Sequence, residues 1–154
     1  MGGIAFSIYF DLIYFKKLFF SPVFHLISFF AGVFVLKLSF HAASVGGREL
    51  AKKGREGDIP RLETNKLVTS GIYSCTRHPM LLGLMFLPLG LALLIGSVTF
   101  IIISLFEAVI IFILMIVFDE KEAEKKFGEK YREYKKNVPV FPKNKECWKK
   151  LFFE

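Results

Sequence analysis

Between Met80 and Phe118 the only formal charge is Glu107. A run that apolar is too long for one bilayer crossing, which uses about 20 residues. It reads instead as a helical hairpin, with arms at 79–95 and 98–118 and the natural turn at Gly96-Ser97. Pro88 is expected to kink the first arm. Glu107 is costly against lipid, so it is expected to face the bundle interior and pair with Lys37 or His41.

The rest of the chain extends this reading. Hydrophobic residues make up 53% of it, with 19 phenylalanines, and the mean hydropathy is +0.46. A helix over 22–43, opened by Ser21-Pro22, is long enough to span a core of ~30 Å. Lys37 is read as snorkelling and His41 as lying near the interface. Residues 3–20 hold Asp11, Lys16 and Lys17 and form a shorter membrane helix or an interfacial one. The expected fold is one all-α integral membrane domain over 1–154. It is a bundle of three to four transmembrane helices with a cytoplasmic C-terminal helix, and no cleavable leader is expected.

The net charge of +7 is concentrated in two places. The loop 44–78 carries Arg48, Lys52, Lys53, Arg55, Arg61, Lys66 and Arg77, and the tail after Phe118 is lysine-rich. The hairpin turn has no charge, so loop and tail are placed together on the cytoplasmic face, where they build one site. No basic domain stands apart from the apolar segments, which argues against nucleic acid and for membrane lipids as partners. Residues 119–137 read as a helix with Ala123, Phe127, Tyr131, Tyr134 and Val138 on one face and Glu122–Lys126 paired on the other. Pro139 and Pro142 end it, and Cys147–Phe153 reads as a short interfacial anchor. Cys75 and Cys147 have no metal spacing and are read as reduced thiols, with a bridge as the alternative.

Arg77-His78-Pro79 stands where the polar loop meets the apolar hairpin. Proline suits a first helical position, so a cation and an imidazole are held just before a helix start. Polar groups at such a border point to function.

Leu67-Val68-Thr69-Ser70-Gly71-Ile72-Tyr73, then Arg77-His78-Pro79 and Gly83, resemble the cofactor motif of the isoprenylcysteine carboxyl methyltransferases, with the phospholipid N-methyltransferases as close kin. The second half of that pattern resembles Asp119-Glu120, then Phe127-Gly128-Glu129-Lys130-Tyr131-Arg132-Glu133-Tyr134, then Val138-Pro139-Val140-Phe141-Pro142. The resemblance implies S-adenosylmethionine held at the cytoplasmic membrane face and a lipid-like or prenylated acceptor entering from the bilayer. It implies cofactor contacts from Leu67, Val68, Gly71, Tyr73, Arg77, His78, Pro79, Leu82, Gly83, Asp119 and Glu120, with Tyr131 and Tyr134 on the acceptor and no metal. In that picture Glu120 takes the cofactor ammonium and Arg77 its carboxylate. The chain departs from the pattern at three positions. Leu81 stands for a tyrosine, Asp119 for a glutamate, and Val140 for an arginine that would hold a substrate carboxylate. The resemblance implies an isoprenylcysteine-carboxylate-like acceptor, with phospholipid amine or lipophilic thiol acceptors as the alternatives that the Val140 departure keeps open. The Asp-Glu pair also resembles membrane sterol reductases, which leaves an NADPH-dependent reductase or a non-catalytic scaffold as other classes.

Overall fold

The structure, a computed structural model, describes residues 2–60 and 63–154; Arg61, counted above among the loop cations, lies outside them. Every regular element among the described residues is helical. In chain order these are α1 (Gly2–Tyr14), α2 (Lys16–Phe19), α3 (Pro22–Lys53), a 3-10 turn (Gly71–Ser74), α4 (Pro79–Leu84), α5 (Leu87–Ile95), α6 (Val98–Leu114), a π turn (Met115–Asp119), α7 (Glu120–Phe127), α8 (Glu129–Asn137) and α9 (Lys145–Phe152). Two stretches are long and apolar enough to cross a bilayer, Pro22–Lys53 and Val98–Phe127, whose most apolar 18 residues have mean hydropathies of 2.0 and 3.1. Gly3–Tyr14 and Pro79–Ile95 are apolar but shorter.

Three boundaries differ from the sequence reading. Helix α3 runs past residue 43 to Lys53, so the first part of the expected loop is helical. No proline interrupts it, and Glu49 and Lys53 pair across one turn at 2.7 Å. The arm 79–95 is not kinked at Pro88; it breaks at Met85–Phe86 and restarts as α5 with Pro88 in its first turn. There the missing N–H needs no intrahelical partner. The tail helix is likewise two helices, split at Gly128, whose φ of 59° and ψ of −131° lie where a side chain is not tolerated.

The contacts divide the chain into two compact units, Met1–Ser39 with Met85–Phe112, and Phe40–Leu84 with Ile113–Glu154. In the first, helices approach through small residues, as membrane helices do. A Cβ at Gly32 would lie 2.7 Å from Leu94 N, and one at Gly90 2.6 Å from the Leu36 side chain. The Ser28 hydroxyl donates to the Leu93 carbonyl at 2.6 Å. Asp11 is fully buried, and its Oδ1 accepts from the Thr99 N–H and hydroxyl at 2.8 and 2.6 Å. It therefore caps the start of α6 from another helix. Outward from this unit, Phe30 and Phe106 are 64% and 68% exposed, which suits a hydrocarbon solvent rather than water.

Glu107 corrects an expectation. It is exposed on α6 and makes no ion pair with Lys37 or His41 among the described residues. The buried positions of that helix are Ser104 and Ala108, whose small side chains allow close helix contact where a glutamate would not fit.

Candidate functional site

The second unit encloses a cavity of about 320 Å³, at the small end of the roughly 300–1,000 Å³ range of ligand sites. Its walls come from the end of α3, the irregular segment before the 3-10 turn, the start of α4, the end of the π turn, and α7 with α8. Leu67, Val68, Tyr73, Arg77, His78, Asp119, Tyr131 and Tyr134 line it. The face expected from Ala123, Phe127, Tyr131 and Tyr134 is one wall of this cavity. Glu122 and Lys126, expected to pair on the opposite face, also line it. They form no ion pair among the described residues, and Lys126 Nζ instead lies 5.9 Å from the Phe127 ring centroid.

Five of the proposed cofactor residues lie outside the lining. Pro79, Leu82 and Gly83 are buried in α4. Gly71 adopts φ +65°, and a Cβ there would sit 2.6 Å from Glu49 Oε2, so the turn itself requires glycine. Glu120 is 2% exposed and lies behind the wall. Its Oε1 is 2.8 Å from Arg77 Nη2 and 3.5 Å from His78 Nε2, and its Oε2 is 2.7 Å from Lys135 Nζ. The π turn at Met115–Asp119 sets this phase, turning Glu120 inward and leaving Asp119 on the cavity.

Besides the Arg77–Glu120 pair, the segment 73–77 is fixed to the tail at further points, among them Arg77 Nη1 donating to the Lys135 carbonyl at 3.1 Å. The Tyr134 hydroxyl donates to the Tyr73 carbonyl at 2.6 Å. The Thr76 hydroxyl donates to the Val140 carbonyl, and the Arg77 N–H donates to the Pro139 carbonyl at 3.1 Å. Cys75 and Cys147 are joined as a disulfide. This corrects the reading of reduced thiols. Sequence spacing did not bring them together, but the fold places their Cα atoms 5.5 Å apart, within bonding reach.

Gly46 was missed by sequence reasoning. A Cβ there would meet Met80 N at 2.5 Å and Met80 Cα at 3.0 Å. Gly46→Ala is expected to push α4 back and cost about 1–3 kcal/mol, as overpacking does. Chemical denaturation of wild type and variant checks it, and equal midpoints contradict it.

Titration follows burial. Burial pushes the Tyr73 and Tyr131 hydroxyls up to about 12, helped by Glu49 and Glu120 respectively. Burial holds the His78 imidazole below its ordinary value, only partly opposed by Glu120. His78 is therefore neutral near pH 7. As pH falls through about 6.5, the unfolded chain takes up a proton that the folded one refuses. The stability present above that pH is then lost towards the folded value. His78→Gln is expected to flatten this slope in melting midpoints taken from about pH 8 to about pH 5; an unchanged slope contradicts it.

A family model for phospholipid methyltransferases matches residues 27–130. This chain belongs to the phospholipid methyltransferase family. It is also similar to a protein-S-isoprenylcysteine O-methyltransferase of Schizosaccharomyces pombe, with 36% identity over 81 residues. That match covers 51% of this chain and 34% of the relative, so the chain aligns with about a third of that protein's length. No solved structure matches the chain.

Proposed function

We propose that the chain transfers a methyl group from S-adenosylmethionine to a lipophilic acceptor in the membrane. The observation that carries this reading is the cavity lining, where unsatisfied donors, carboxylates and aromatic rings converge on the positions of the family motif. Arg77 Nε and the Tyr131 hydroxyl are buried without a hydrogen-bond partner among the described residues. A ligand carboxylate and hydroxyls would satisfy them. Asp119 and Glu122 are the carboxylates on the same cavity, suited to an ammonium. Tyr73 and Phe127 offer ring faces to an adenine. Glu120 takes a different role from the one its motif implies: it holds Arg77, His78 and Lys135 in place. The Tyr134 hydroxyl is likewise committed to the Tyr73 carbonyl.

The cofactor supplies a methyl already activated as a sulfonium, so this chain's residues act mainly by orienting the reactants and excluding water. His78 Nε2 lies 3.5 Å from Glu120 Oε1, so the imidazole is held by that carboxylate and no general base is assigned. Val140 offers no cation, which favours an acceptor other than a carboxylate. The charge distribution supports a multi-pass topology of three to four crossings, with the cavity on the cytoplasmic face.

Thermal-shift titration of the purified chain separates the classes. S-adenosylhomocysteine is expected to raise the melting temperature and NADPH is not. Stabilisation by NADPH alone would indicate a reductase, and by neither a scaffold. Arg77→Ala is expected to weaken S-adenosylhomocysteine binding by roughly 1.5–3 kcal/mol, measured by calorimetry; wild-type affinity would remove Arg77 from the site.

A further inference from the structure

Helix α9 carries three rails of side chains, each spaced one turn apart. Cys147 and Leu151 point inward, the first bonded to Cys75 and the second fully buried. Trp148 and Phe152 form the next rail, their rings stacked at 5.5 Å between centroids, with Trp148 still 42% exposed. Lys145 and Lys149 form the third and are exposed; Lys149 Nζ also meets Glu154 Oε1 at 3.0 Å, a solvent-exposed pair that is worth little and open to exchange with a phosphate. Phe153, just beyond the helix, is 67% exposed, and Lys143 and Lys150 add further positive charge. No residue of this exposed face belongs to the cavity wall.

We propose that this face of α9 is a docking surface for anionic lipid headgroups. Tryptophan and phenylalanine beside a lysine rail match the two layers of a bilayer interface, with rings at the acyl boundary and ammonium groups among the phosphates. The positive charge of that rail complements the negative potential of an anionic leaflet, and the adjacent rings suit the apolar layer just beneath it. The inward rail gives the contact a consequence. Cys147 is joined to Cys75, two residues before Arg77, so the lipid-bound helix and the cavity wall form one covalently linked body. Engagement of α9 then fixes how the cavity is presented to the membrane surface. This holds whatever reaction the cavity performs.

Trp148 is the chain's only tryptophan and reports on the surface directly. The full chain is reconstituted in nanodiscs of phosphatidylcholine alone or mixed with phosphatidylglycerol, each with brominated acyl chains. Quenching of Trp148 is expected to be several-fold stronger in the anionic discs. It should fall towards the zwitterionic level in high salt, because exposed charges are screened. Lys145→Glu with Lys149→Glu is expected to abolish the difference, and the salt titration of the wild type tests the same point without a variant. Equal quenching in both discs, insensitive to salt, would overturn the proposal. Protection of Trp148 through self-association, seen as a cross-linked dimer in both lipids, would overturn it too.

Discussion

Glu120→Gln is expected to remove about 3–5 kcal/mol of folding stability, the cost of leaving a buried ion pair without one partner. The side chains of Glu120 and Arg77 are 3% and 10% exposed, so water cannot take over the lost contact. The same change should weaken S-adenosylhomocysteine binding at least tenfold, about 1.4 kcal/mol or more, although Glu120 lies outside the cavity lining. That loss would arise because Arg77 and His78 are no longer held in place. Lys135 also pairs with Glu120, but it is 39% exposed, and Lys135→Met should cost no more than about 1 kcal/mol. Urea denaturation in detergent and calorimetry on the same variants measure both quantities. If Glu120→Gln and Lys135→Met proved equally mild, the buried pair would not organise the site.

Loss of the Cys75–Cys147 bond is expected to have a comparable effect. It closes a loop with a sequence separation of 72, for which chain entropy alone corresponds to about 4 kcal/mol. Cys75→Ser with Cys147→Ser should therefore lower the unfolding midpoint strongly, and a dithiol reductant should do the same to the wild type but not to the variant. Identical midpoints in all four conditions would show that the bond does not constrain the unfolded chain. The bond also bears on topology. Disulfides persist in oxidising compartments and in intracellular proteins of hyperthermophiles, whereas the lysine-rich loop and tail favour the cytoplasmic face. Labelling of a cysteine introduced at position 97, in a background with both native cysteines replaced, measures the orientation directly.

Much of the helical character was legible in the sequence because it rests on local rules. The apolar runs, the turn at Gly96-Ser97, the start at Pro79 and the stripe through Phe127, Tyr131 and Tyr134 each follow from hydropathy, periodicity or proline chemistry. The family motif could also be read, because order and spacing along the chain survive without any knowledge of contacts. The extra turns of α3 were missed because a helix rich in charge reads like a loop. The split at Gly128 was missed because one glycine does not disclose its φ.

Contacts between distant segments lay beyond the sequence. Cys75 with Cys147, Asp11 with Thr99, Gly46 with Met80, and Arg77 with Glu120 all join residues whose distance depends on packing rather than on spacing. Glu120 and Asp119 make the point most sharply. The motif assigns the ammonium to Glu120 and marks Asp119 as a departure, whereas the π turn buries Glu120 and leaves Asp119 on the cavity. Local chemistry determined which residues this chain brings to its site. Only the tertiary structure decided which of them line the cavity and which hold the others in place, because burial and charge pairing are properties of the packed chain.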